Sequence, residues 1–147
     1  MSTIKKFLNL IFIDGLSGMA LGLFSTLIIG TILKQAADLI GGDFGYYLGV
    51  FAVMAQRLTG AGIGIGVAYK YKSSTYVTLS AAAAGMIGAY ATAIISGSIL
   101  SDGALVYSGP GDPLSAFIAA LAGIAVGSLP AGKTKLDLLI TPAVTII

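Results

Sequence analysis

Residues 58–69 read "LTGAGIGIGVAY", and the reading of that stretch decides the fold. Gly60, Gly62, Gly64 and Gly66 alternate with other residues, which spreads them around a helix instead of along one face. Each costs about 1 kcal/mol of helix propensity relative to alanine. Four in seven residues predict a break, a bend or an extended segment. The run closes "FGYYLGVFAVMAQRLTGAGIGIGVAY" (44–69), which carries one charge, Arg57, near its middle. A stretch of this length and apolarity is built to cross a bilayer. Irregular backbone at membrane depth is tolerated only where it is buried in protein or lines an aqueous cavity.

Composition supports a lipid environment. Hydrophobic residues make up 56% of the 147-residue chain and charged residues 10%, against about 45–50% and 25% in soluble domains. Mean hydropathy is +0.97. A small soluble domain could not cover its surface with so few polar groups. Cys, His, Trp and Glu are absent. Thiolate and imidazole metal sites, disulfides, Cys or His nucleophiles and phosphohistidine chemistry are therefore excluded. No cofactor or metal is expected, and the chain offers no catalytic residues. A net charge of +2 is too small to suggest nucleic acid as a partner.

Long uncharged runs lie between the charges: 15–33, 44–69 with its arginine, 73–101, 113–132, and a fifth that begins at 138. Lysines fall at Lys5 and Lys6, at Lys70 and Lys72, and at Lys133 and Lys135, whereas the intervening loops hold Lys34 with Asp38 and Asp43, then Asp102 with Asp112. That alternation is what the positive-inside rule asks of a helical weave. The expected fold is all-α: a polytopic integral membrane protein with four to five transmembrane segments and at least one glycine-broken helix. Residues 1–147 form one transmembrane domain with a cytoplasmic N-terminus. Residues 101–113 read as an external loop, with Tyr107 at the headgroup level. "KKFLNLIFI" has the look of a signal peptide, but Asp14 interrupts it and the apolar stretch runs on to Leu33, so the first helix is expected to stay uncleaved.

Residues 127–134, "GSLPAGKT", match the G-x-x-x-x-G-K-[ST] phosphate loop. That loop works when a strand delivers it and a helix N-terminus receives the phosphates. Upstream, "AFIAALAGIAV" shows no strand alternation. Downstream, Pro142 would interrupt a receiving helix. The match is read as coincidence, with no nucleotide at 127–134.

Gly18 and Gly22 form a G-x-x-x-G pair within the first span, read chiefly as close packing inside the chain. The candidate solute-binding residues are Gln56, Arg57, Thr59, Gly60, Gly62 and Asp14. An ionised arginine at membrane depth costs about 2.5–3.5 kcal/mol on insertion scales and needs an acid, free carbonyls or water. Arg57 can line a polar solute pathway, clamp to Asp14 or to broken backbone, or sit at an interface through a shifted helix. Gln56 and Thr59 add the hydrogen-bonding capacity that a polyol uses. The plain reading of Asp14 is a helix-start carboxylate at the cytoplasmic interface.

Three segments, "FIDGLSGMALGLFSTLIIGTILK" (12–34), "LTGAGIGIGVAY" (58–69) and "KTKLDLLITPAVTII" (133–147), carry a family resemblance. Together they resemble the N-terminal half of the subunit IIC-like bacterial membrane proteins of the phosphotransferase system, in the second such EIIC family. The resemblance implies half of a larger, repeat-built permease in the bacterial inner membrane. It would carry a small polar solute, a sugar above all, by alternating access. Separate phosphoryl-carrier subunits, the bilayer and a second copy of the chain are the implied partners, and the chain itself would be at most the permease part of a sugar phosphotransferase system. The alternative is a transporter-like membrane receptor or regulatory subunit without transport activity.

Overall fold

The computed structural model describes residues 2–133 and 135–147. Helix α1 (Ser2–Ile40) runs 39 residues without a break, about 58 Å at 1.5 Å per residue. It overshoots the expected span at 15–33 because lysine is a good helix former and does not stop a helix. Gly41 stops it, at φ 64°, a backbone conformation that glycine adopts without penalty. Two stretches of α1 are π-helical, Leu10–Gly15 and Phe24–Ile28.

Helices α2 (Gly42–Arg57) and α3 (Thr59–Lys70) follow, bent by 52° where they meet. The bend lies at Leu58, with φ −85° and ψ 9°, just before the glycine run. Of the expected break, bend or extended segment the structure shows a bend, and the four glycines themselves are helical throughout, so it lies on their N-terminal side. The physical reason is packing on two faces. Gly62 and Gly66 are four apart and meet Gly22 and Gly18 of α1; Gly60 and Gly64, also four apart, meet Gly85 and Ala81 of the next helix. The two pairs are offset by two residues, about 200° around the axis. Each face of α3 is thus a small-xxx-small seam of the kind that lets backbones touch. A Cβ at Gly18 would stand 2.6 Å from the Gly66 carbonyl oxygen, and one at Gly60 2.7 Å from that of Gly85. The propensity lost to glycine is offset by this contact.

Helix α4 (Thr75–Ala89) is capped by the Ser74 hydroxyl, which accepts from the Val77 N–H. The expected span at 73–101 ends early: the chain kinks at Tyr90, makes the short helix α5 (Ala91–Ile95), and turns into a hairpin of β1 (Leu100–Ser101) and β2 (Ala104–Leu105). Its turn is Asp102-Gly103, both at positive φ (51° and 79°), the signature of a two-residue hairpin loop. Helix α6 (Pro113–Gly127) begins at Asp112, whose carboxylate accepts from the Leu114 N–H at 3.0 Å. Helix α7 (Asp137–Ile146) contains Pro142, so that proline does not interrupt it as expected.

Helices α1, α3, α4, α6 and α7 pack in that sequence of neighbours, with α6 also touching α3. Their shared core holds Ile63, Val67, Val77, Ala81, Phe117, Ala120 and Ile124. Helix α2 stands outside this bundle and pairs with the second half of α1. Helices make up 77% of the described residues, so the all-α class holds. Among the described residues α1 alone is long and apolar enough to cross a membrane, and the bent pair α2–α3 passes the same test jointly. Helices α4, α6 and α7 have 15, 15 and 10 residues, short of the roughly 20 that a straight crossing needs.

Candidate functional site

The irregular backbone at Leu58 releases carbonyls that the surrounding side chains take up. The Thr59 hydroxyl donates to the Gln56 carbonyl at 2.6 Å, and the Tyr90 hydroxyl reaches the Arg57 carbonyl at 3.4 Å and that of Gly109 at 2.6 Å. The Gln56 amide donates across to the Thr31 hydroxyl of α1 at 3.1 Å, and that hydroxyl donates to the Leu27 carbonyl at 2.7 Å. The Thr26 hydroxyl, in the second π-helical stretch, donates to Gly22 at 2.7 Å and lies 3.4 Å from that of Thr59. The buried Thr59 and Tyr90 hydroxyls, the half-buried Thr26 and the exposed Thr31 therefore form hydrogen bonds where α1, the α2–α3 bend and the end of α4 meet.

Of the six candidate residues, Gln56, Arg57, Thr59, Gly60 and Gly62 come together at this level. Gln56 and Thr59 are engaged in the network, and Gly60 and Gly62 are committed to the helix seams. The Arg57 side chain is exposed. It opens into a cavity of about 650 Å³ between α1 and α2, which Lys34, Asp38 and Tyr46 also line. Gly42, Gly45 and Gly49 form its floor. Asp14 lies elsewhere. Its neighbour Gly15 faces Tyr71 and Phe117, whereas Gln56 faces Gly30, so Asp14 and the bend stand about 24 Å apart along α1 at 1.5 Å per residue. No clamp between Asp14 and Arg57 spans that distance.

Thr26, Thr31, Tyr90, Lys34 and Asp38 were absent from the candidates. Two hydroxyls inside "FSTLIIGTIL" (24–33), an otherwise apolar run, were the available signal for the threonines. Lys34 and Asp38, one turn apart, look like ordinary loop charges until α1 is seen to continue through them.

The model of the family described as "Phosphotransferase system, EIIC" matches residues 13–147. The chain belongs to that family. No curated protein and no solved structure matched it. Membership in the EIIC family makes this a membrane protein of the phosphotransferase-system permease type. In this EIIC chain "GSLPAGKT" follows a helix, not a strand: Gly127 ends α6, and residues 129–133 form turns. The Gly132 N–H donates to the Asp137 carboxylate at 3.0 Å, so an internal anion already occupies one of the loop's amides. Thr134, the last position of the motif, lies outside the described residues.

Proposed function

We propose that this chain is the permease part of a phosphotransferase-type transporter that moves a small polar solute, a sugar, across the bacterial inner membrane. In this reading the chain crosses the bilayer four to five times with its N-terminus in the cytoplasm. Separate subunits carry the phosphoryl group, and a second copy of the chain completes the working unit. The observation that supports it is the bend at Leu58, where Arg57 opens on a cavity that also holds Lys34, Asp38 and Tyr46, in a chain of the EIIC family. Interrupted helices, with their helix ends and freed backbone groups, are how many transporters build a solute site.

Arg57 and Asp38 supply opposite charges to sugar hydroxyls. Gln56 and Thr59 hold the backbone of the bend, Gly60 and Gly62 fix α3, and Asp14 acts as an interfacial carboxylate. The experiment is uptake of labelled sugars into proteoliposomes that contain the chain and its carrier subunits. Arg57→Ala is expected to lower uptake about tenfold or more, the loss of a hydrogen bond to a charged group worth about 1.5–3 kcal/mol. Uptake that is absent for every sugar with carriers present would sink the transport reading, and solute binding without uptake would support a receptor instead.

A further inference from the structure

A second cavity, of about 670 Å³, lies at the other end of the bundle, between the first turns of α1, the turn after α3, and α6. It has two chemically distinct parts. Phe7, Leu10, Leu121 and Ala125 line an apolar trough, and Phe7, Leu10 and Ala125 are exposed at its edge, so the trough opens sideways to the molecule's outer face. Lys72, Ser73 and Ser74 line the polar rim. The Tyr71 and Ser128 hydroxyls spend their protons on the Leu10 and Ile124 carbonyls. Among the described residues the hydroxyl protons of Ser73 and Ser74 and the Lys72 ammonium remain available, and no carboxylate lines the cavity.

The rim therefore offers donors and positive charge to an anion, while Asp14, near Tyr71, and Asp137, on the Gly132 N–H, lie outside the lining. Lys5 and Lys6 stand on the first turns of α1 and Lys70 ends α3, so further cations gather at the same end. An acyl chain fits the lateral apolar trough, and a phosphate fits the rim above it. We infer that this cavity is a site for one anionic phospholipid, its phosphate at Lys72, Ser73 and Ser74 and an acyl chain along Phe7, Leu10 and Leu121. Charge selects the occupant: a zwitterionic headgroup would bring a second cation to a rim lined by Lys72. Juxtamembrane lysines contribute affinity for anionic lipid in this way.

The test uses the full chain in detergent, offered equimolar phosphatidylglycerol and phosphatidylcholine, with retained lipid counted by native mass spectrometry. The wild type is expected to retain phosphatidylglycerol in preference. Lys72→Asn removes the charge and suits the backbone, because Lys72 stands at φ 52° and asparagine tolerates that region; it should lower phosphatidylglycerol retention about fivefold. Lys72→Arg should restore it, and Ala125→Phe, which fills the trough, should lower retention of the lipid with the charge intact. Equal retention of both lipids by the wild type overturns the assignment without recourse to any variant. So does unchanged phosphatidylglycerol retention in Lys72→Asn or in Ala125→Phe, or its displacement by millimolar inorganic phosphate alone. Lipid retention is read with no sugar present, so it stands or falls separately from transport.

Discussion

Asp112 shows how much one side chain does at an element boundary. Hydrogen bonds from the Ser115 hydroxyl and the Leu114 N–H hold its carboxyl below the ordinary carboxylate range. A depressed value in the folded state means stability that is present above the unfolded pKa of about 3.9 and lost as pH falls through the lower folded value. Across neutral pH the cap is therefore constant, and it fails only in acid. Asp112→Ala should destabilise α6 by about 1 kcal/mol, read as a lower thermal midpoint in detergent. Asp112→Asn should keep most of the cap and remove its acid sensitivity. At the opposite end, burial and the nearby Asp14 charge raise the Tyr71 phenol above its usual value. It thus stays protonated and keeps donating to Leu10 at 2.9 Å. Arg57 was found from sequence because a lone charge in an apolar run is conspicuous. Tyr90 was missed because a tyrosine in such a run is ordinary, and its role depends on Gly109, nineteen positions away.

At the scale of elements, the glycines of α3 carry the lesson. Propensity alone predicted a break, a bend or an extended segment; the bend falls at Leu58, and tertiary contact keeps the glycines helical. The spacing lay in the sequence all the same: Gly60 with Gly64 and Gly62 with Gly66 are two interleaved four-residue pairs, and Gly18 with Gly22 was read as a close-packing pair with no partner assigned. What could not be read was which helix would arrive on each side, since Ala81 and Gly85 sit in a run of small residues with no marked face. Two substitutions separate packing glycines from free ones. Gly64→Ala drives a methyl group into the Ala81 backbone and should destabilise by about 1–3 kcal/mol. Gly49→Ala meets only the Ala37 methyl at 3.7 Å and should be neutral or stabilising by up to about 1 kcal/mol. Thermal unfolding of the two variants in one detergent decides the point, and equal effects would refute the seam. The Asp102-Gly103 hairpin is the converse case: its turn dipeptide was in plain view, but the apolar run before it was long enough to pass for a span.

For the whole molecule, the Tyr71–Leu10 hydrogen bond brings the start of α1 beside the turn after α3. The second cavity adds Ser128 and Ala131, which lead into the turn that carries Lys133. The three lysine clusters picked out along the sequence thus gather at one end of the bundle, while Gly109 and Asp112 close the other end against Tyr90 and Ala89. Single cysteines at 72, 135 and 102 in an otherwise cysteine-free chain test sidedness directly. Labelling of intact cells with an impermeant maleimide should modify the cysteine at 102 and spare those at 72 and 135. Modification of all three, or of 72 without 135, would refute the weave. Hydropathy counts residues, whereas the bounds of α4 and α6 are set by a kink and by caps that a hydropathy count does not see.

The second π-helical stretch of α1 and the bend at Leu58 lie side by side, with the Thr26 and Thr59 hydroxyls 3.4 Å apart. Both limbs of the α1–α2 hairpin therefore have their irregular point at the same height, above helices locked backbone to backbone. An arm built this way has one shared point about which a tilt would occur. Sixteen helical residues separate its tip from that point, a lever of about 24 Å, so a tilt of ten degrees there would sweep Gly41 through about 4 Å, leaving the glycine seams below at rest.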